Sequence, residues 1–168
     1  MRAALAVLLV FWVGGTTHAG NGSAHRDGKN QFQLRIPPAW KSTQGAETTL
    51  IAFESVPSGR LLTVTRVDFP NRRAWRNDSD FYDEVEQGVE KASKAYKRLA
   101  RKRLKLGRIP VLELTFRRAS ADYPVIATRF MFFRRYTLIA SVAYTIDAYK
   151  AHRRSDAKML ASFKPYFK

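Results

Sequence analysis

Apolar and polar positions alternate from Phe32 through Leu34 to Ile36, with Gln33 and Arg35 between them, which predicts a half-buried strand. Pro37 and Pro38 stop it, because neither offers an N–H to a ladder. Residues 50–54 and 61–67 read as two more strands joined across Pro57, Ser58 and Gly59, which have the chemistry of a hairpin turn. Together these predict an opening meander of three strands. After a polar crossing at 70–77, Phe81, Val85, Val89, Ala92, Tyr96 and Leu99 recur at three- and four-residue steps. That spacing predicts an amphipathic helix, with Asp78 or Asp80 able to cap its start. Residues 103–106 and 109–118 flank Gly107 and Arg108 as a second hairpin, in which Leu112, Leu114 and Phe116 face one way. Residues 125–134 and 136–146 are apolar on both faces, as expected of central strands covered by helices. A final helix is expected over 147–163, interrupted near Ser155 and Asp156, with Met159, Leu160 and Phe163 as packing residues. The order predicts an α+β fold, an antiparallel sheet of six to seven strands flanked by helices.

The first 19 residues break this pattern. Arg2, an apolar run of eleven residues at 3–13, and the small-x-small site Thr17, His18, Ala19 have the form of a secretory signal peptide. The run is well short of the roughly 20 residues that span a bilayer, and no second such stretch follows. Residues 20–30 read as a flexible polar leader and 31–168 as a single domain, with no transmembrane segment after cleavage.

Composition narrows the chemistry. The 168-residue chain has no cysteine, so disulfides, thiolate metal sites and thiol nucleophiles are excluded. Its three histidines, His18, His25 and His152, lack the close spacing that puts two imidazoles on one metal. No G-x-S-x-G elbow and no phosphate-cradling glycine loop occurs. These residues point to no cofactor, no metal site and no catalytic group.

The motif formed by Phe32, Leu34, Ile36, Pro37, Pro38 and Trp40 shortly after a signal peptide, followed by a meander, a helix, a second meander and a closing helix at Ser162 and Phe163, resembles the PsbP-like group. That group includes the extrinsic PsbP proteins of photosystem II and DcrB-like periplasmic proteins. The resemblance implies an α/β/α sandwich around an antiparallel sheet and an accessory or binding role, with no common catalytic residues to carry over. The basicity of this chain sets it apart from the photosynthetic members and argues against a photosystem partner.

Charge supplies the remaining clue. Thirty Lys and Arg against fourteen Asp and Glu give +16, and the excess is polarised: residues 78–90 hold six acids and no base, residues 91–108 nine bases and no acid. One helix beginning acidic and ending basic would suit the helix dipole, but the dipole acts only over about a turn at each end. Lys97, Arg98, Arg101, Lys102, Arg103, Lys105 and Arg108 therefore read as an anion-binding surface. Trp75, between Arg73 and Arg76, is either an aromatic anchor beside it or a staple for the helix. The pairs Arg117-Arg118 and Arg134-Arg135 lie near strand ends and are expected to converge on one edge of the sheet. Export favours an acidic protein or an anionic envelope surface over nucleic acid as the partner. The expected function is that of an exported, periplasmic or secreted, non-enzymatic binding protein; the alternative is a small-ligand carrier or hydrolase with a pocket between sheet and helix.

Overall fold

Strands flanked by water on one face alternate in character, whereas those covered on both faces do not, and this difference sorts the sheet of the computed structural model. The structure describes residues 18–19, 24–56, 58–68 and 79–166. Trp75, Asp78 and the apolar run at 3–13 lie outside them. The chain runs β1 (His18–Ala19), β2 (Ala24–Asp27), β3 (Phe32–Arg35), β4 (Lys41–Thr43), β5 (Thr49–Ser55), β6 (Arg60–Asp68), α1 (Ser79–Ala92), β7 (Lys97–Leu106), β8 (Ile109–Arg117), β9 (Val125–Phe132), β10 (Tyr136–Tyr144), α2 (Ile146–Ala161) and β11 (Lys164–Pro165). An eight-stranded antiparallel sheet has the order β1-β4-β5-β6-β10-β9-β8-β7, and a second sheet the order β11-β3-β2. The apolar β9 and β10 do lie inside the large sheet, with β10 between β6 and β9.

Helix α1 covers one face and α2 the other. Phe81, Tyr82, Val85 and Val89 of α1 pack on Leu112, Leu114, Phe116, Phe130 and Phe132. Phe81 meets Phe132 edge-on, with ring centroids 4.9 Å apart. On the opposite face Ala148, Met159 and Leu160 of α2 join Phe163 and the small sheet's Phe32 and Leu34 over Val64, Met131 and Leu138. Burying one such Leu or Phe contributes roughly 1.5–3 kcal/mol, so the two apolar layers hold the sandwich. Trp40 closes the second layer, 1% exposed, with its backbone N–H donated to the Pro37 carbonyl at 3.1 Å.

Four expectations need correction. The strand at Phe32 is not part of the opening meander: β3 pairs with β2 and β11 in a separate sheet. Part of the expected leader is therefore β2, where Asp27 accepts hydrogen bonds from the Asn30 backbone and side chain, each at 2.8 Å, in the turn to β3. Helix α2 runs without interruption through Ser155 and Asp156, because Asp156 turns into the protein and Ser155 returns its hydroxyl to the His152 carbonyl. Most consequential, α1 ends at Ala92. A tight turn with Ala95 at φ +54° follows, and the basic run belongs to a strand, β7, and not to a helix end.

The start of α2 is set by the β5–β6 turn. Gly59 has φ +62°, and a Cβ there would lie 2.7 Å from the Thr145 methyl carbon. The Gly59 carbonyl accepts from the Thr145 N–H at 3.0 Å, and Thr145 Oγ1 caps α2 by accepting from Ala148 N–H at 3.2 Å. Glycine meets both demands, the left-handed backbone and the close approach.

Candidate anionic-partner surface at the sheet edge

Strand β7 is the outermost strand of the large sheet, and among the described residues it pairs only with β8. Six of its ten residues are basic and none is acidic. The register divides them between the two faces. Arg98, Arg101, Arg103 and Lys105 stand opposite Phe116, Leu114, Leu112 and Pro110, on the α1 side. Lys97 and Lys102 stand opposite Arg117 and Glu113, on the α2 side.

On the α1 side the arginines meet acids. Asp83 and Glu86 are three residues apart, hence on one face of α1. Glu86 is 7% exposed and accepts from the Tyr96 hydroxyl at 2.8 Å, from Arg98 Nη1 at 3.0 Å, and pairs with Arg101 Nη1 at 3.0 Å. Asp83 accepts from Arg101 and, at 3.0 Å, from Arg103. Arg103 also lies over the Tyr82 ring, 5.3 Å from its centroid. The hydrogen bond from Arg101, with the charges of Arg101 and Arg103, holds the Asp83 carboxyl below its usual range against slight desolvation. Burial, then the hydrogen bond and charge of Glu86, push the Tyr96 phenol far up, so it remains a donor at any ordinary pH. Three of the seven candidate cations are thus engaged within the chain.

The other four, Lys97, Lys102, Lys105 and Arg108, have no ion-pair partner among the described residues and are exposed. Lys97 faces Arg117, also exposed, directly across the ladder. Like charges so placed repel, a cost that an external anion would remove. The two arginine doublets do not converge. Arg117 pairs with Val125 at the start of β9, whereas Arg134 and Arg135 follow its end, so antiparallel pairing sends the doublets to opposite ends of the sheet. Arg108, in the β7–β8 turn, shares the end of Arg134 and Arg135.

Two functional-looking arginines escaped the sequence reading. Arg60 is 7% exposed, donating from Nη1 to Asp156 Oδ1 at 2.8 Å, from Nη2 to Ser55 Oγ at 3.0 Å and from Nε to Ser58 Oγ at 2.9 Å, beneath the Trp40 ring at 4.9 Å. Arg129 is 3% exposed and donates to the Leu160 carbonyl at 3.0 Å, with Glu113 3.4 Å away. Both tie α2 to the sheet. Desolvation raises the Asp156 carboxyl above its ordinary value even though Arg60 pulls the other way. A charge inside the apolar β9, or at the packing phase of α2, was the available clue.

The sheet–helix spaces that a ligand carrier would leave open hold the two apolar clusters. Among the described residues no group of His, Cys, Asp or Glu is placed to hold a metal ion, and no helix is long and apolar enough to cross a membrane.

Helices on both faces of an antiparallel sheet, with a small sheet beside the second helix, constitute the PsbP-like fold. The chain is similar to the cyanobacterial PsbP protein CyanoP from Synechocystis sp. PCC 6803, with TM-score 0.65 and 12% identity over 91% of this chain and 98% of that one. It is also similar to PA94 from Pseudomonas aeruginosa, a protein of unknown function described as a putative regulator (TM-score 0.52, 16% identity, 89% and 100% covered). A third similar structure is LpqN, involved in cell envelope biogenesis of Mycobacterium tuberculosis (TM-score 0.50, 12% identity, 91% and 92% covered). At these identities the likeness is one of fold. No protein-family model matches the chain, and no match to it was found among curated proteins by sequence.

Proposed function

We propose that this is an exported, non-enzymatic accessory protein that holds an anionic partner on the cations of the β7 edge left unpaired by α1. The observation that carries the reading is Lys97 facing Arg117, with Lys102, Lys105 and Arg108 along the same hairpin, none with an ion-pair partner among the described residues. A signal-like N-terminus and the envelope role given for LpqN support a setting outside the cytoplasm. The partner is an acidic protein or an anionic envelope surface. Retention on heparin and on anionic liposomes, followed across a salt gradient, tests this. Replacing Lys97, Lys102, Lys105 and Arg108 with Gln is expected to move elution to markedly lower salt, while Arg98→Gln, Arg101→Gln and Arg103→Gln together move it less, because those charges already face carboxylates. Unchanged retention of the first variant would overturn the reading.

A further inference from the structure

The two edges of the large sheet are finished differently. On one side the outer strands β1 and β4 have two and three residues, too short to template another chain. On the other, β7 has ten residues, about 33 Å of strand at 3.3 Å per residue. Its outward N–H and C=O groups have no strand beside them among the described residues. A bulge between Arg98 and Ala100 leaves Leu99 unpaired and 39% exposed, and beyond it the register is regular from Ala100 to Leu106. Seven residues of well-formed, water-facing edge remain.

Charge says what can and cannot pair there. A second copy of β7 would set six bases against six, with like charges opposite one another, so homotypic pairing is opposed. An acidic strand meets no such barrier. The row that crosses the sheet on the α2 side reads Arg129 on β9, Glu113 on β8 and Lys102 on β7, alternating in sign. The next position outward from Lys102 is therefore complementary to a carboxylate. Leu104 and Leu106, on the same side and half-buried, are complementary to apolar residues further along. On the α1 side Lys105 is unpaired and Arg103 keeps 40% of its side chain exposed beside Asp83.

We propose that the outer edge of β7 accepts an extended acidic segment of a partner protein as an added strand of the large sheet. This rests on the anionic-partner reading above and specifies the partner as protein, bound through its backbone as well as its charge. Main-chain hydrogen bonds supply affinity in strand addition, and alternate side chains supply specificity.

The probe is a capped nonapeptide of Glu and Val, with Glu at alternate positions to face Arg101, Arg103 and Lys105 and, on its other face, Glu to meet Lys102 and Val to meet Leu104 and Leu106. It is titrated calorimetrically into the full chain, beside two peptides of the same sequence N-methylated at alternate residues in either phase. N-methylation removes backbone donors along one edge and leaves the charge intact. The parent peptide is expected to bind about tenfold or more tightly than at least one methylated form, as loss of several main-chain hydrogen bonds requires. It is also expected to slow amide exchange within residues 100–106. Lys102→Glu, at an exposed position, is expected to weaken binding by a similar factor with circular dichroism unchanged. Equal binding of all three peptides without slowed exchange would overturn strand addition and leave the anionic-partner reading standing. Retention on anionic liposomes without peptide binding would do the same and make a lipid surface the partner. Binding to neither would overturn both.

Discussion

Arginine serves the two faces of the sheet in opposite ways. Beneath α2, Arg60 and Arg129 are enclosed, and each has a fixed set of acceptors: Asp156, Ser55 and Ser58 for one, the Leu160 carbonyl and Glu113 for the other. Along β7 on the α1 side, Arg98, Arg101 and Arg103 share two carboxylates while 52%, 18% and 40% of their side chains stay open to solvent. Taking a charge out of water is costly and removing its counter-charge costs more, so the buried arginines act as fixed bolts between α2 and the sheet. A half-exposed pair gives up less hydration and gains less, which makes the α1 side a means of neutralising part of a basic strand. The cations left over are Lys97 and Lys102 on the α2 side of β7, Lys105 farther along the α1 side, and Arg108 in the turn, none of them paired with an acid of α1.

That contrast is broken most directly at Asp156. Asp156→Ala leaves the Arg60 guanidinium buried without its carboxylate and is expected to cost about 3–5 kcal/mol in urea unfolding. Replacing Arg60 with Met and Asp156 with Leu together is expected to recover much of that loss, since removing both charges also removes the desolvation cost. A double variant as unstable as the single one would show that the pair stabilises the fold through its charge. On the other face Glu86→Gln is expected to cost less, about 1–3 kcal/mol, because the amide oxygen can still accept from Tyr96 or Arg101 and Arg98 can turn to water. In 1 M salt, where screening acts over about 3 Å, the Glu86→Gln cost should shrink while the Asp156→Ala cost persists. Equal salt sensitivity of the two would erase the distinction between bolt and neutralising network.

The residues that announced themselves in the sequence are those with one wet and one dry face. Leu112, Leu114 and Phe116 alternate because β8 has α1 on one side and a partly open opposite side, and Phe81, Val85 and Val89 recur because α1 has a single buried stripe. The first part of β7, residues 97–102, was hidden for the converse reason. Wet on both faces, it shows no alternation, and its Lys, Arg, Leu and Ala are all good helix formers. Tyr96 and Leu99 continue the three- and four-residue steps of α1 by coincidence. Tyr96 packs beside Phe116 with ring centroids 5.2 Å apart and donates to Glu86, while Leu99 sits in the bulge. Nothing local marks the break, because the residue at φ +54° is Ala95 and not a glycine. The small sheet was equally invisible, since β2 and β11 have only four and two residues. The ion pairs of Asp83 and Glu86 with β7 depend on the chain's return across the sheet, which no spacing reveals.

The smallest effect separates the two faces by sign. Asp83 has its carboxyl held below the ordinary 3.8, first by the Arg101 hydrogen bond, so its contribution to stability is present above 3.8 and lost as pH falls through the lowered value. Asp156 is raised above 3.8, first by desolvation, so the proton-linked part of its contribution is fully present below 3.8 and lost as pH rises through the raised value, separately from its pairing with Arg60. The wild-type stability minus that of Asp83→Asn should therefore shrink as pH is lowered below about 4, and the same difference for Asp156→Asn should shrink as pH is raised from there. Urea midpoints measured at steps from pH 3 to pH 7 give both curves. Slopes of the same sign would mean that Asp156 is held as a carboxylate as firmly as Asp83, and that the buried arginine outweighs the loss of water around its partner.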